Sequence, residues 1–125
     1  PVHPRARAAL SAGHRAAPNV RMIDPVGYLE MLVLEENAEA IVTDSGGVQK
    51  EAFFAARPCI TVRDTTEWIE TVDAGWNVLV GSDSAAIADA MRSFRPSSAR
   101  PPIFGDGHAA EKVVRALSAA GTANA

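Results

Sequence analysis

Apolar residues along this chain fall in short runs separated by polar turns, and two spacings alternate. Ala40-Ile41-Val42-Thr43, Pro58-Cys59-Ile60-Thr61-Val62 and Val78-Leu79-Val80 are apolar with hardly any alternation. This is the pattern of parallel strands covered on both faces. Val20-Arg21-Met22-Ile23 is a fourth, shorter strand candidate that Asp24-Pro25 stops, and Pro1 to Pro4 reads as a strand end or the loop after one. Helical stretches separate these runs. Arg5 to Ala17 is rich in Ala, Arg and Leu, with Gly13 weakening its middle or ending its first half. Tyr28 to Asn37 carries Leu29, Leu32, Val33 and Glu36 at a helical period, and Val48 to Ala56 turns Val48, Ala52, Phe53 and Ala56 inward. A short helix around Glu67 to Ala74 is expected to be capped by Thr65 or Thr66. Ser82 to Phe94 has Asp83 or Ser84 as cap and Ala86, Ile87, Ala90 and Met91 as its apolar stripe. Arg95 to Phe104, with its prolines and serines, predicts an irregular connection before a last helix, His108 to Ala119.

Strand and helix alternating in this way predict an α/β fold, a Rossmann-like parallel sheet flanked by helices. A chain of 125 residues is most simply one domain, here 1–119, with 120–125 as a frayed tail. Ligands of such open sheets bind at the carboxyl ends of the strands. Two polar loops fall there, Asp44-Ser45-Gly46-Gly47 and Arg63-Asp64-Thr65-Thr66-Glu67.

Composition narrows the classes of partner. The chain is 47% hydrophobic and 22% charged, with a net charge of −3 and no basic stripe, which argues against nucleic acid. No apolar run approaches the length that spans a bilayer, so no membrane partner is expected. Cys59, the single cysteine, sits in a strand context as a buried structural thiol and fits a reducing cytosol. No metal-ligand spacing and no Ser-His-Asp order with a nucleophile elbow are readable.

The chemistry concentrates at Thr43-Asp44-Ser45-Gly46-Gly47-Val48-Gln49-Lys50-Glu51. A strand that runs through a tight Ser-Gly-Gly turn into a helix gathers unpartnered N–H groups and the positive end of a helix dipole, which suits an anion. The two glycines equally suit a turn that only glycine can adopt. Walker and dinucleotide fingerprints are both absent. Glu51, a little over one turn from Gly47, is placed either to accept hydrogen bonds from ribose hydroxyls or to pair with Lys50 or a nearby arginine. Asp44 reads as a turn cap, with a catalytic role as the alternative. His3 lies beside Arg5 and Arg7 in a basic cluster that could take an anion, or is simply exposed. His14 reads as a surface residue and His108 as a helix-start residue. Trp68 and Trp76 read as core or inter-domain packing, with stacking on a ligand as the alternative.

Taken together, Thr43 to Ala52 and Arg63-Asp64-Thr65-Thr66-Glu67 resemble the non-hydrolysing UDP-N-acetylglucosamine 2-epimerase family. Pro1-Val2-His3-Pro4, Met22-Ile23-Asp24-Pro25 with Tyr28, Asp73-Ala74-Gly75-Trp76-Asn77 and Phe104-Gly105-Asp106-Gly107-His108-Ala109 match family landmarks in the same order. The resemblance implies most of the C-terminal, nucleotide-binding half of a GT-B-type fold. It implies that Ser45, Gly46 and Gly47 hold the diphosphate of UDP, that Glu51 holds the ribose, and that Pro25, Tyr28 and Met31 border the uracil. His3 matches a histidine that in some bacterial members contacts a second, activating UDP-GlcNAc. Family catalysis inverts C2, interconverting UDP-GlcNAc and UDP-ManNAc by anti-elimination of UDP to 2-acetamidoglucal and re-addition with the proton on the other face of C2, with no cofactor or metal.

The resemblance places the catalytic residues in an N-terminal domain that this sequence does not contain. The fragment alone is therefore expected to bind UDP or UDP-GlcNAc and to be inactive. An unpaired sheet edge is expected to favour self-association. The parent is expected to be a cytoplasmic homo-oligomer, a dimer, serving cell-surface polysaccharide synthesis. Many bacterial members read Thr-Thr-Glu-Arg-Pro-Glu, whereas this chain has Thr65-Thr66-Glu67-Trp68-Ile69-Glu70, which leaves Arg63 as the nearest replacement cation. Two other readings stay open: a stand-alone nucleotide-sugar binding module, and the nucleotide-binding domain of a GT-B glycosyltransferase.

Overall fold

A computed structural model describes residues 1–10 and 17–122. Its elements run α1 (Pro4–Leu10), α2 (Tyr28–Glu36), β1 (Ile41–Thr43), α3 (Gly46–Phe54), β2 (Cys59–Thr61), α4 (Ile69–Asp73), β3 (Asn77–Leu79), α5 (Ser84–Ser93) and α6 (Ala109–Thr122). The strands form one parallel sheet in the order β1-β2-β3, with Ile41 opposite Cys59 and Cys59 opposite Asn77. The α/β reading with helices flanking a parallel sheet is therefore correct. β2 is central and buried at all three positions, which is why its sequence shows no polar alternation.

Val20 to Ile23 forms no strand, and its one ladder-like bond runs from Val2 N–H to the Ile23 carbonyl at 2.9 Å. Asp24-Pro25 ends the run before a second bond can form, because proline carries no N–H. Of the helix expected over Arg5 to Ala17, Pro4–Leu10 is helical; Gly13 and His14 lie outside the described residues. α6 continues past Ala119 to Thr122, and 123–125 lie outside the described residues.

The core is centred on Ile41, Ala52 and Cys59, with Ala38 and Val48 packed against it. Phe53 and Ile60 are buried as well. Ala90 is the most buried residue of α5, whose N-terminus Asp83 caps by accepting from Ala86 N–H at 2.7 Å. Met91, expected on the apolar stripe, is exposed. Burial drives the Cys59 thiol up to about 11, as expected for a structural cysteine.

α2 is rotated from its expected orientation. Leu29 and Val33 are exposed, while Met31 and Leu32 are half-buried and Glu35 is buried. The helix is apolar almost all round, so spacing alone does not choose the inward face. Ala56, expected to point inward, is exposed and adopts φ +54°. It terminates α3: its N–H bonds the Phe53 carbonyl at 3.1 Å, and Arg57 N–H bonds the Ala52 carbonyl at 2.9 Å. That pair of bonds is the Schellman arrangement, normally built on glycine. Gly75 ends α4 in the same way, at φ +72°.

Candidate functional site

The carboxyl ends of the three strands deliver three loops to one rim. β1 leads through Asp44 and Ser45 into α3, which starts directly on Gly46 rather than at Val48. Ser45 is the N-cap. Its Oγ accepts from Val48 N–H at a long 3.5 Å, and its carbonyl accepts from Gln49 N–H at 3.1 Å. Helix geometry leaves the N–H groups of Gly46 and Gly47 for water or a ligand. The turn is held by Thr43, whose Oγ1 accepts from Ser45 N–H at 3.0 Å, and not by the exposed Asp44.

The loop after β2 folds across this helix start. A Cβ at Gly46 would overlap the Glu67 carboxylate, so the absence of a side chain there is what admits Glu67. Glu67 in turn receives a hydrogen bond from Arg63 at 3.1 Å. Trp68 closes the arrangement by donating its indole N–H to the Gly46 carbonyl at 2.8 Å. Lys50 Nζ lies 4.2 Å from the Trp68 ring centroid and 4.8 Å from that of Phe104, within cation–π range. Phe104 meets Phe53, Phe54 and Trp68 edge-on, so Trp68 packs against the domain rather than facing outward alone.

A buried polar network holds this loop. Thr66 Oγ1 donates to Gln49 Oε1 at 2.5 Å and accepts from Trp68 N–H at 3.0 Å. Asn77 Nδ2 donates to Gln49 Oε1 at 3.3 Å and to Thr71 Oγ1 at 3.1 Å, while its Oδ1 accepts from Thr61 at 2.7 Å. Thr71 Oγ1 donates to the Trp68 carbonyl at 2.7 Å. The network therefore joins β2, β3, α3 and α4 to the Thr65–Trp68 loop. Sequence reasoning expected Thr65 or Thr66 to cap α4; Thr66 instead bonds Trp68 N–H, and the cap position is Trp68 itself. Gln49, Thr71 and Asn77 were not singled out in advance. The available signal was polar residues at positions that the helix and strand periods turn inward.

Beside this rim, α2 and α3 enclose a groove of about 250 Å³ lined by Tyr28, Leu32, Glu35, Glu36, Glu51, Phe54 and Ala55. Tyr28 and Glu51 therefore meet in one concavity. Met31 is half-buried on α2 and Pro25 is exposed before it, and neither lines the groove. His3 is exposed immediately before α1, where its carbonyl accepts from Arg7 N–H at 3.0 Å. Glu35 is the unanticipated member: it is 3% exposed, and no donor among the described residues reaches either carboxyl oxygen. Its pKa is raised, first by burial and then by the Glu51 carboxylate beside it.

The arrangement offers an anion seat at a helix start and a carboxylate one turn further along the same helix, above a groove. The family model for UDP-N-acetylglucosamine 2-epimerase matches residues 1–118. A UDP-N-acetylglucosamine 2-epimerase homolog of Methanococcus maripaludis is 48% identical over 123 residues, covering 94% of this chain and 34% of the relative. The UDP-2,3-diacetamido-2,3-dideoxy-D-glucuronate 2-epimerase of Pseudomonas aeruginosa is 42% identical over 121 residues, covering 94% of this chain and 34% of the relative. The crystal structure of Methanocaldococcus jannaschii UDP-GlcNAc 2-epimerase with UDP-GlcNAc and UDP superposes with a TM-score of 0.77 at 42% identity, covering 93% of this chain and 34% of the other. The chain thus spans about a third of the length of the relatives it matches. By motif, fold and sequence it belongs to the UDP-N-acetylglucosamine 2-epimerase family.

Proposed function

We propose that this chain is the UDP-binding part of a UDP-GlcNAc 2-epimerase. The observation that carries the reading is the junction of β1, Ser45-Gly46-Gly47 and α3 at the carboxyl edge of the sheet, with Glu51 in the adjoining groove. Ser45 Oγ and the N–H groups of Gly46 and Gly47 take the diphosphate, where the helix dipole adds to their attraction. Glu51 accepts from the ribose hydroxyls, and Tyr28, with Met31 and Pro25 along the same segment, borders the base. Glu67 now lies over Gly46, so a diphosphate must displace it, and that movement frees Arg63 to pair with phosphate. The M. jannaschii relative, solved with UDP-GlcNAc and UDP, supports the choice of nucleotide.

Catalysis takes the C2 proton and UDP off the sugar to leave 2-acetamidoglucal, then returns UDP to C1 and a proton to the opposite face of C2. Within this chain, the seat at α3 stabilises the charge that gathers on the departing diphosphate. Proton transfer at the sugar is assigned to a further domain, and none of the residues discussed here is given that role. The parent is read as a cytoplasmic homo-oligomer serving cell-surface polysaccharide synthesis, with His3 as a contact for a second, activating nucleotide sugar. The P. aeruginosa relative, named for a diacetamido uronate, favours a second reading in which UDP is shared and the sugar differs.

Calorimetric titration of the chain with UDP tests the reading. Saturable binding that Ser45→Ala and Glu51→Ala each weaken several-fold is expected, with no turnover of UDP-GlcNAc by the chain alone. Absence of binding at millimolar UDP overturns the nucleotide assignment, and measurable epimerisation overturns the assignment of the sugar chemistry to another domain.

A further inference from the structure

We propose that Glu35 is a positioning residue for the nucleotide: in its protonated form it donates a hydrogen bond to Glu51 and holds that carboxylate toward the groove. The proposal rests on the reading of Glu51 as the ribose acceptor. Its basis is geometric. Glu35 projects from α2 into the groove that Glu51 enters from α3. It is 3% exposed, and both of its oxygens are buried without a donor among the described residues. A buried carboxyl that finds no donor is costly as an anion and tolerable as an acid that donates. The ionisable groups that share the groove are Tyr28 and Glu36 from α2 itself and Glu51 from α3; no cationic side chain is among the lining residues. The only pairing that satisfies two adjacent carboxyls in such a place is one shared proton.

Burial and the Glu51 charge both favour protonated Glu35, which agrees with this arrangement. The half-buried Glu51 then has its remaining lone pairs free for vicinal hydroxyls. When Glu35 ionises, two carboxylates face one another, and Glu51 turns out of the groove toward water. Affinity for a ribonucleotide therefore falls as pH rises through the titration of Glu35. The effect is confined to the ribose and leaves the diphosphate seat unaltered.

The test measures UDP-GlcNAc binding against pH for the unaltered chain, Glu35→Gln and Glu35→Leu. UDP-GlcNAc is the probe because its diphosphate, esterified at both ends, does not titrate near neutrality as the terminal phosphate of UDP does. The unaltered chain should lose roughly tenfold in affinity across the transition, the scale of one hydrogen bond to a charged group. Glu35→Gln, whose amide donates at every pH, should bind tightly and without a pH step. Glu35→Leu should bind weakly at every pH. With the 2′-deoxyribose analogue of UDP-GlcNAc the differences among the three should shrink toward none. A pH step that survives in Glu35→Gln, or differences that persist with the 2′-deoxy analogue, overturns the positioning role while leaving nucleotide binding intact. If Glu35→Leu does not fold, the unaltered chain and the near-isosteric Glu35→Gln still decide the matter. No binding by the unaltered chain overturns the nucleotide reading, and the Glu35 role with it.

Discussion

The two ends of α3 solve the problem of buried polarity in opposite ways. At its start, the oxygens and hydroxyls of the Gln49, Thr61, Thr66, Thr71 and Asn77 network all find partners at 2.5 to 3.3 Å. Gln49 Nε2 is its one buried atom without a partner. Farther along, where α3 faces α2, Glu35 has two buried oxygens that no donor among the described residues reaches. A satisfied network rigidifies what it holds, here the loop over the start of α3. An unsatisfied carboxyl makes its surroundings depend on a proton. The comparison separates a part of the site that is fixed in advance from a part that responds to conditions.

The largest effect should come from breaking the satisfied side. Asn77→Leu removes an acceptor from Thr61 and a donor from both Gln49 and Thr71, all buried, and should cost about 3 kcal/mol of stability. Urea unfolding measures it; a loss below ~1 kcal/mol would mean that the network is not what holds the loop. Gly46→Ala acts on the same end differently. The new Cβ collides with the flexible Glu67 carboxylate, which can swing away, so stability should change little. UDP affinity should fall about tenfold, because the methyl occupies the seat; unchanged affinity would place the diphosphate elsewhere.

The unsatisfied side predicts a pH dependence. The carboxyl pKa of Glu35 is raised in the folded chain above its ordinary value of 4.5. Below 4.5 both folded and unfolded chains hold the proton, and this group's contribution to stability is fully present. As pH rises past 4.5 the unfolded chain releases its proton first, so stability declines until the folded group has ionised as well. Glu35→Leu should flatten that decline, raise stability at neutral pH and leave the acid limb nearly unaltered. Thermal unfolding from pH 4 to about 8 tests this, and a parallel pair of curves would contradict it.

The smallest expected effect lies at the far end of α3. Ala56 holds φ +54° in a position that glycine normally fills. Ala56→Gly relieves a left-handed cost of roughly 1–2 kcal/mol and gives back part of it in unfolded-chain entropy. The net gain should be about 0.5 kcal/mol, visible as a small rise in the urea midpoint.

How much of this was legible in the sequence differs along the same line. The strands at Ile41, Cys59 and Val78 were readable because a buried parallel strand shows an uninterrupted apolar run. The Ser45-Gly46-Gly47 junction was readable as a strand-to-helix turn, but not that Gly46 and Gly47 are already helical, because their φ is not positive and glycine marks a turn and a close contact equally well. The cap of α5 was readable as Asp83 or Ser84 from local side-chain chemistry, and the structure chooses Asp83. The inward face of α2 was not, because Leu29, Val33 and Leu34 are as apolar as Met31 and Leu32, and only the tertiary contact chooses among them. Glu35 was hidden by that ambiguity: a carboxylate at the seventh position beyond Tyr28 lies on the face of Tyr28 and Leu32, but nothing in the spacing says that this face is covered. The Gln49–Asn77 bond joins residues 28 apart in sequence, a distance over which local periodicity carries no information. Val20 to Ile23 was over-read, because β-branched residues before a proline suit an extended segment without requiring a partner strand.

Ser45 to Glu51 should act as the nucleotide seat of this chain. The most direct measurement is an amide-resolved NMR titration of the chain with UDP. The predicted result is saturable shifts at Ser45, Gly46 and Gly47 from the diphosphate, with Tyr28 and Glu51 moving in step from the nucleoside, and little change along α6. Amides at Ser45 to Glu51 that stay still at millimolar UDP, or shifts that gather along α6 instead, would contradict it.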